Sequence, residues 1–178
     1  MEPGAAFLAQ SREYLTRHYL PKISAAIESL SEEDLWWRPN EASNSIGNLI
    51  LHLAGNVRQW IVSGVGGAPD HRERAEEFDR RETLPRSELV AVLTEAVLEA
   101  DAVIGRVDPA SLGERRPVQG RDVTVLQAIY HVVEHLSMHA GQIMYIAKLR
   151  SARDLRFYGL VDGVPRPAWP DHPNEGSA

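Results

Sequence analysis

The chain has 178 residues, a length typical of one domain that buries its own core without covalent staples. Its formal net charge of -6 gives no basic footprint, so nucleic acid is not an expected partner. There are no cysteines, which excludes disulfides, thiolate nucleophiles and Cys-based zinc sites. No apolar run is long enough to cross a bilayer and residues 1–8 lack a signal-peptide pattern, so we expect a cytoplasmic protein without membrane contact.

Helical periodicity predicts two long helices in the N-terminal half of the chain. The first spans about residues 5–30, where apolar side chains recur at spacings of three, four and seven. Pro21 removes a backbone donor from this segment, so we expect it to kink or split the helix. The second helix begins at a cap formed by Asn44 or Ser45 and ends near residue 63, before a glycine-rich stretch.

Two further helices are predicted in the C-terminal half. The third spans about residues 85–107 and ends where Asp108-Pro109 disfavours helical backbone. The last spans about residues 124–150, and Thr124 with Gln127 three residues on has the pattern of a capping box.

The segments outside these helices have distinct compositions. Residues 70–82 are dense in Arg, Glu and Asp, which is typical of a solvated surface link with at most one helical turn. Residues 111–122 lack a helical pattern, and residues 118–123 are a candidate extended stretch, as in a hairpin. Residues 151–178 carry four prolines and three glycines, so we expect an arm or tail rather than a fifth core helix.

Four long helices without a strong strand signal predict an all-α fold, an up-down four-helix bundle. We expect a single domain over residues 1–178. Its core would span about residues 5–150, and residues 151–178 would form a Pro-rich C-terminal extension.

Three histidines recur at intervals of four in the last helix: His131, His135 and His139. Residues four apart on an α-helix lie one above the other, so neighbouring imidazoles can converge on one point. The three lie along the apolar stripe that should face the interior. A buried, unpaired imidazole is costly, so this inward strip indicates that something is bound there.

His52 on the second helix is the expected complement to this strip, since it also borders an apolar face. His131 and His139 are about 12 Å apart along the helix at 1.5 Å per residue, so one ion cannot easily bind both. The helical pair is therefore His131 with His135 or His135 with His139, and spacing leaves both open. Three histidines plus water would leave an open coordination position, as in catalytic sites, and would suit zinc, nickel, iron or copper.

Other polar residues are weaker candidates. Those that could line the pocket or orient a ligand are His131, Asn48, Asn56 and Gln142. A carboxylate of the third helix could act as base or ligand, although an exposed face is the stronger expectation for these residues: Glu95, Glu99 and Asp101. Surface positions are expected for Glu134, His18, His71 and His172.

Two segments resemble the DinB-like superfamily of metal-binding four-helix bundles. The stretch SIGNLILHL, which ends just after His52, resembles that family's second helix with its single histidine. The stretch HVVEHLSMHAGQ, from His131 to Gln142, resembles its closing HxxxHxGQ segment. The order and separation of the two blocks also agree, so the resemblance covers about residues 5–150.

The resemblance implies a metal triad of His52, His135 and His139, with His131 outside it. It also implies a zinc- or nickel-type ion with water in the open position, and a homodimer. Related enzymes include mycothiol-dependent maleylpyruvate isomerase and bacillithiol S-transferases. In these the metal would turn a bound low-molecular-weight thiol into a thiolate nucleophile.

Three functions follow as hypotheses. The first is a metal-dependent thiol S-transferase, in which a thiol co-substrate brings the sulfur that this cysteine-free chain lacks. The second is a metal-dependent hydrolase, which needs a general base near the ion. The third is a non-enzymatic, stress-related metal-binding protein. The sequence predicts a small-molecule substrate for the first two and does not identify catalytic residues beyond the metal ligands.

Overall fold

The structure is a computed structural model that describes residues 2–81 and 83–169. Its α-helices are α1 (Pro3–Glu13), α2 (Leu20–Glu28), α3 (Glu32–Trp36), α4 (Ile46–Val57), α5 (Arg74–Asp79), α6 (Arg86–Ile104) and α7 (Val125–Ser151). π-Helical turns occupy Tyr14–Tyr19 and Arg58–Val65, and a 3-10 turn occupies Pro109–Gly113. Two antiparallel hairpins pair β1 (Arg115–Val118) with β2 (Arg121–Thr124), and β3 (Tyr158–Val161) with β4 (Val164–Pro167). The chain is therefore mostly helical, with two small strand pairs.

Helices α4 and α7, which contain the histidines singled out in the sequence, begin at side-chain caps. Ser45 accepts a hydrogen bond from the backbone N–H of Asn48, whose side chain accepts one from Ser45 in return. Thr124 and Gln127 form the same reciprocal capping box at the start of α7. These boxes satisfy N–H groups that the helix itself cannot pair, so they fix where α4 and α7 begin.

Helix α4 lies at the centre of the packing, in contact with α6 on one side and α7 on another. Its apolar face joins theirs in one core; fully buried members are Ile46, Ile50, Leu53, Leu89, Leu93, Ile129, Val132 and Ile143. This packing holds the middle of α4 against the middle of α7. Among the described residues, no helix is both long and apolar enough to span a bilayer.

The first helical segment departs from prediction at Pro21. The chain stays helical there, and the irregularity is a π-helical turn that ends directly before α2. Pro21 has no N–H to pair with the carbonyl of Arg17, four residues earlier. The indole Nε1–H of Trp169 donates to that carbonyl instead, at 2.9 Å. A widened turn and a distant side chain therefore accommodate the proline without splitting the segment.

The C-terminal extension was predicted to be an arm or tail and not a fifth core helix, and its described part forms the β3–β4 hairpin. Asp162 and Gly163 adopt positive φ angles of 52° and 77° between the strands, as a tight two-residue hairpin turn requires. Prolines are tolerated in β4 because this two-stranded sheet leaves edge positions without a paired N–H. Trp169 then buries its ring against the first helical segment. The predicted surface residue His172 lies outside the described residues.

Candidate metal centre

The structure brings together three of the four histidines that the helical pattern singled out. His52 lies in the middle of α4, and His135 and His139 lie one turn apart on α7. One ring nitrogen from each lies within 4.8 Å of the other two, and the Nε2 atoms of His52 and His135 are 2.8 Å apart. Nitrogens that share one tetrahedral zinc ion are separated by roughly 3.3 Å, given bonds of about 2.0–2.1 Å. This cluster could therefore hold a metal ion.

Hydrogen bonds at the far ring nitrogens orient two of these histidines. The Nδ1 atom of His52 lies 2.9 Å from Oε2 of Glu77, which can only accept, and 3.1 Å from Nη2 of Arg72, which can only donate. Because Nη2 of Arg72 already donates to Glu77 at 2.8 Å, we assign the proton on Nδ1 to the shorter contact with the carboxylate. The Nδ1–H of His139 donates in the same way to Oε1 of Gln142 at 2.6 Å. Both rings then present an unprotonated Nε2 to the centre of the cluster. This is the tautomer that a metal ion requires.

Glu77 is itself held by Arg72, and both come from the link that was predicted to be a solvated surface. Arg72 donates through Nε to Oε1 of Glu77 at 2.7 Å and through Nη2 to Oε2 at 2.8 Å. The two side chains are only 4% and 10% exposed. The prediction is wrong for this pair, since a bidentate ion pair compensates for burying both charges.

The charge of Glu77 is secured by its neighbours. Burial alone would raise the pKa of this carboxyl, but hydrogen bonds from Arg72 and His52 outweigh it and leave the pKa below its usual value. The ionised form therefore persists near neutral pH. It strengthens the hydrogen bond that fixes His52.

Gly55 provides the space through which this ion pair reaches His52. It lies in α4 one turn after the histidine, and a Cβ placed on it would be 2.1 Å from Oε1 of Glu77 and 2.9 Å from Nε of Arg72. Real Cβ atoms do not approach so closely, so any larger residue must displace the carboxylate. A glycine in the middle of a helix costs about 1 kcal/mol relative to Ala. The close approach of the Arg72–Glu77 ion pair to Gly55 explains why a glycine is needed here.

Burial keeps two of the cluster histidines, His135 and His139, uncharged. Desolvation, followed by the nearby His139 and His52, lowers the pKa of His135 to about 3. Desolvation also lowers the pKa of His139, and the hydrogen bond to Gln142 only partly opposes it. Both side chains are neutral at physiological pH. Their nitrogens are available to a cation without first losing a proton.

His131 lies beside the cluster rather than in it. Its Nε2 accepts a hydrogen bond from Nδ2 of Asn56 at 3.2 Å, and its ring packs on Trp60 with centroids 4.0 Å apart. On the other side it stacks on His135 at 5.2 Å. Burial lowers the pKa of His131 as well. His131 therefore packs against the ring of His135. Its hydrogen bond with Asn56 is a polar contact between α7 and α4.

The other candidate residues occupy structural or surface positions. Asn48 is buried at the start of α4, where its Nδ2 donates to the backbone carbonyl of Glu77 at 2.8 Å, so it anchors α5 and does not line the cluster. The carboxylates of α6 form ion pairs at the protein surface: Glu95 and Glu99 with Arg58, and Asp101 with Arg12. Glu134 and His71 are exposed, as predicted, whereas His18 packs on the rings of Tyr14 and Trp169.

Fold and site together define a mostly helical protein with a three-histidine cluster, suited to one metal ion, between two packed helices. A family model matches residues 2–163, and the chain belongs to that family, which is described as "Protein of unknown function (DUF1572)". The matched range contains α1 to α7 and every residue of the cluster. A search of curated proteins finds no match to the chain.

Proposed function

We propose that His52, His135 and His139 bind one zinc- or nickel-type divalent ion, and that the protein is a metal-dependent thiol S-transferase. The observation that carries the proposal is the cluster itself. Three imidazoles converge within 4.8 Å, and two of them are oriented by Glu77 and Gln142. Within the described ranges the cluster includes no carboxylate or further histidine. Three ligands are the pattern of metal sites that keep a position for a substrate.

The chemistry assigned to this site follows from what the chain supplies and lacks. When bound, the ion would lower the pKa of a thiol that ligates it. The chain has no cysteine, so the sulfur would come from a low-molecular-weight thiol co-substrate. Sulfur would form a bond to an electrophilic carbon, the thiol proton would pass to water, and a leaving group would depart with its bonding electrons. The three histidines hold the ion, while Glu77 and Gln142 fix two of the rings.

A metal-dependent hydrolase is the weaker alternative, because it needs a general base beside the ion. Glu77 is the carboxylate that is hydrogen-bonded to a cluster histidine, and its oxygens accept from Arg72 and His52. A carboxylate with a lowered pKa that is held in an ion pair is a poor proton acceptor. The carboxylates of α6 are engaged with arginines at the surface.

The resemblance of the two histidine segments supports a wider assignment. We propose that the family lies within the DinB-like superfamily, that its long helices form the up-down four-helix bundle of that superfamily, and that the protein is a cytoplasmic homodimer. Exposed apolar side chains along α7, among them Tyr130 (61% exposed) and Met138 (49% exposed), offer a surface for a second copy. Sedimentation equilibrium tests the dimer: a mass that stays at 19.8 kDa would contradict it.

Cobalt substitution combined with a thiol tests the S-transferase proposal. We expect 2-mercaptoethanol added to the cobalt-loaded protein to produce a sulfur-to-cobalt charge-transfer band in the near ultraviolet. The zinc- or nickel-loaded protein should accelerate conjugation of that thiol to monochlorobimane. His139→Ala should lose both signals, and His71→Ala, at an exposed site, should keep both.

The outcomes separate the transferase from the other two functions. No band and no rate above the metal-free control would remove the transferase. Stoichiometric metal without either signal would leave the hydrolase and the non-enzymatic metal-binding protein.

A further inference from the structure

A cavity of about 390 Å³ opens between α7, Leu49 of α4 and residues 37–44 of the link that precedes α4. Its walls are mostly apolar: Trp37, Leu49, Tyr145, Ile146 and Leu149. We call it the α4–α7 cavity. This volume lies within the range typical of small-molecule binding sites, so the cavity has room for a ligand with one ring.

The α4–α7 cavity adjoins the three-histidine cluster on both helices. Gln142 lines it and also accepts the Nδ1–H of His139. On the other side, Leu49 lines it three residues before His52, about 4.5 Å along the axis at 1.5 Å per residue. None of the three histidines lines the cavity, but its end at Leu49 and Gln142 is about one helical turn from the cluster.

The lining has a distinct chemical character. Among the described residues it contains no Asp, Glu, Lys, Arg or His, and its polar members are uncharged: Ser43, Asn44 and Gln142. The guanidinium of Arg150 lies 4.8 Å from the ring centre of Trp37 but is already paired with Asp34, so a charged ligand would lose hydration in the cavity without gaining a free partner. Trp37 and Tyr145 offer aromatic rings, which favour stacked or edge-on contact with another ring. The surroundings thus select for a neutral, apolar and preferably aromatic group.

We infer that the α4–α7 cavity binds the neutral aromatic or branched apolar group of the electrophilic acceptor. The role as acceptor site rests on the proposed S-transferase function, whereas the preference for neutral apolar ligands rests on the cavity alone. The low-molecular-weight thiol is not its occupant, since the polar and ionisable groups of such thiols would find no charged partner in this lining. Gln142 connects the two sites, because it contacts His139 and faces the cavity.

A ligand-binding measurement on the metal-loaded protein tests this assignment without requiring turnover. Benzyl alcohol and benzoate have the same ring and differ in charge. In NMR titrations that follow methyl and side-chain amide signals, benzyl alcohol should shift the resonances of Leu49, Ile146, Leu149 and Gln142. The dissociation constant of benzoate should be at least about tenfold higher, which corresponds to about 1.4 kcal/mol of binding free energy. Ala42→Trp should abolish these shifts by filling the cavity from its exposed rim. Ala91→Trp, the same change at an exposed site on α6, should leave them unchanged.

The results distinguish this inference from the proposed function. Shifts at the cavity residues in a protein that fails to take up metal would support the cavity and remove the S-transferase. Metal uptake and thiol activation without any cavity shift would overturn the cavity assignment alone. Benzoate binding as tightly as benzyl alcohol, or shifts that persist in Ala42→Trp, would likewise overturn it.

Discussion

Glu77 controls the geometry of the cluster although it is not a candidate ligand. It fixes the proton on Nδ1 of His52, and Arg72 holds it in place through two short hydrogen bonds. Groups that hydrogen-bond to metal-binding histidines set ring orientation and basicity. The affinity of the site should therefore depend on this carboxylate nearly as much as on a ligand.

We predict that Glu77→Gln weakens metal binding by about 10- to 100-fold, the usual effect of losing such a partner. The amide keeps the side-chain shape but removes the negative charge, and its NH2 group would face the guanidinium of Arg72. Competition with a chromophoric chelator measures the dissociation constant. Glu76→Gln, an exposed change on the same helix, is the matched control. Equal affinities in the two variants would contradict the role assigned to Glu77.

The stability of the metal-free protein should fall as pH is lowered from about 6.5 to about 3. The pKa of His135 is about 3 in the folded chain, against 6.5 for an unperturbed histidine, so in this window the unfolded state binds more protons than the folded state. The lowered pKa of His139 acts in the same direction. Urea titrations at several pH values should show a midpoint that rises with pH through this window. In His135→Gln the slope should be shallower, and an unchanged slope would count against the buried neutral imidazole.

At this scale the sequence singled out the histidines and, as weaker candidates, Gln142 and Asn56, but not the Arg72–Glu77 pair that contacts His52. His135 and His139 could be identified because helical spacing places them on one face, and His52 because it borders an apolar stripe on another helix. Arg72 and Glu77 were missed because composition alone assigns a charged link to the surface. Gly55 was the available signal, since a glycine in a strong helix indicates that something approaches its backbone closely.

Two glycines in long helices make opposite predictions for the same change. Ala is a better helix former than Gly by about 1 kcal/mol, so Gly→Ala stabilises a helix wherever the methyl group has room. At Gly141 on α7 an added Cβ meets nothing within 4 Å, whereas at Gly55 on α4 it collides with Glu77. We predict that Gly141→Ala raises the free energy of unfolding and that Gly55→Ala lowers it. Chemical denaturation measures both.

The metal affinity of Gly55→Ala distinguishes a local clash with Glu77 from a general loss of stability. Gly55→Ala should also weaken metal affinity, because the displaced carboxylate no longer orients His52. Gly55→Ala that is as stable as wild type and binds metal equally well would show that Glu77 does not need this space.

Trp169 connects the C-terminal hairpin to the first helical segment. Its indole N–H satisfies the Arg17 carbonyl that Pro21 leaves unpaired. We predict that Trp169→Phe, which removes the donor and keeps an aromatic ring, lowers the free energy of unfolding by about 0.5–1.5 kcal/mol, the net contribution of a typical hydrogen bond. Tyr145→Phe, at a side chain that is 66% exposed, is the control. A loss no larger than that of the control would mean that the carbonyl is satisfied in another way.

The element boundaries show which local signals were sufficient. The start of α4 was predicted at a cap formed by Asn44 or Ser45, and the structure places the cap at Ser45. The start of α7 was predicted from the capping-box pattern of Thr124 and Gln127, which the structure confirms. The β1–β2 hairpin was predicted in part, as an extended stretch near residues 118–123. The strands of the β3–β4 hairpin were not predicted, because prolines disfavour a strand signal; the available signal was the Asp162-Gly163 pair, which suits a tight hairpin turn.

For the whole molecule, the cluster joins elements that are far apart in sequence. His52 and His135 are separated by 83 positions and meet because α4 packs against α7. A cation bound between them would link the two helices, and it would stabilise the fold because the unfolded chain has no assembled site. Membership of the family was established by the family model over residues 2–163. The four-helix bundle, the single domain and the homodimer remain predictions.

Metal stoichiometry in purified wild-type and variant protein tests the central claim most directly. Inductively coupled plasma mass spectrometry, with circular dichroism to verify folding, should find one zinc- or nickel-type ion per wild-type chain. His52→Ala, His135→Ala and His139→Ala should retain almost none. His131→Gln and His71→Ala should retain a full equivalent, since neither residue belongs to the cluster. A full equivalent in folded His52→Ala, or its loss in His131→Gln, would contradict the three-histidine site.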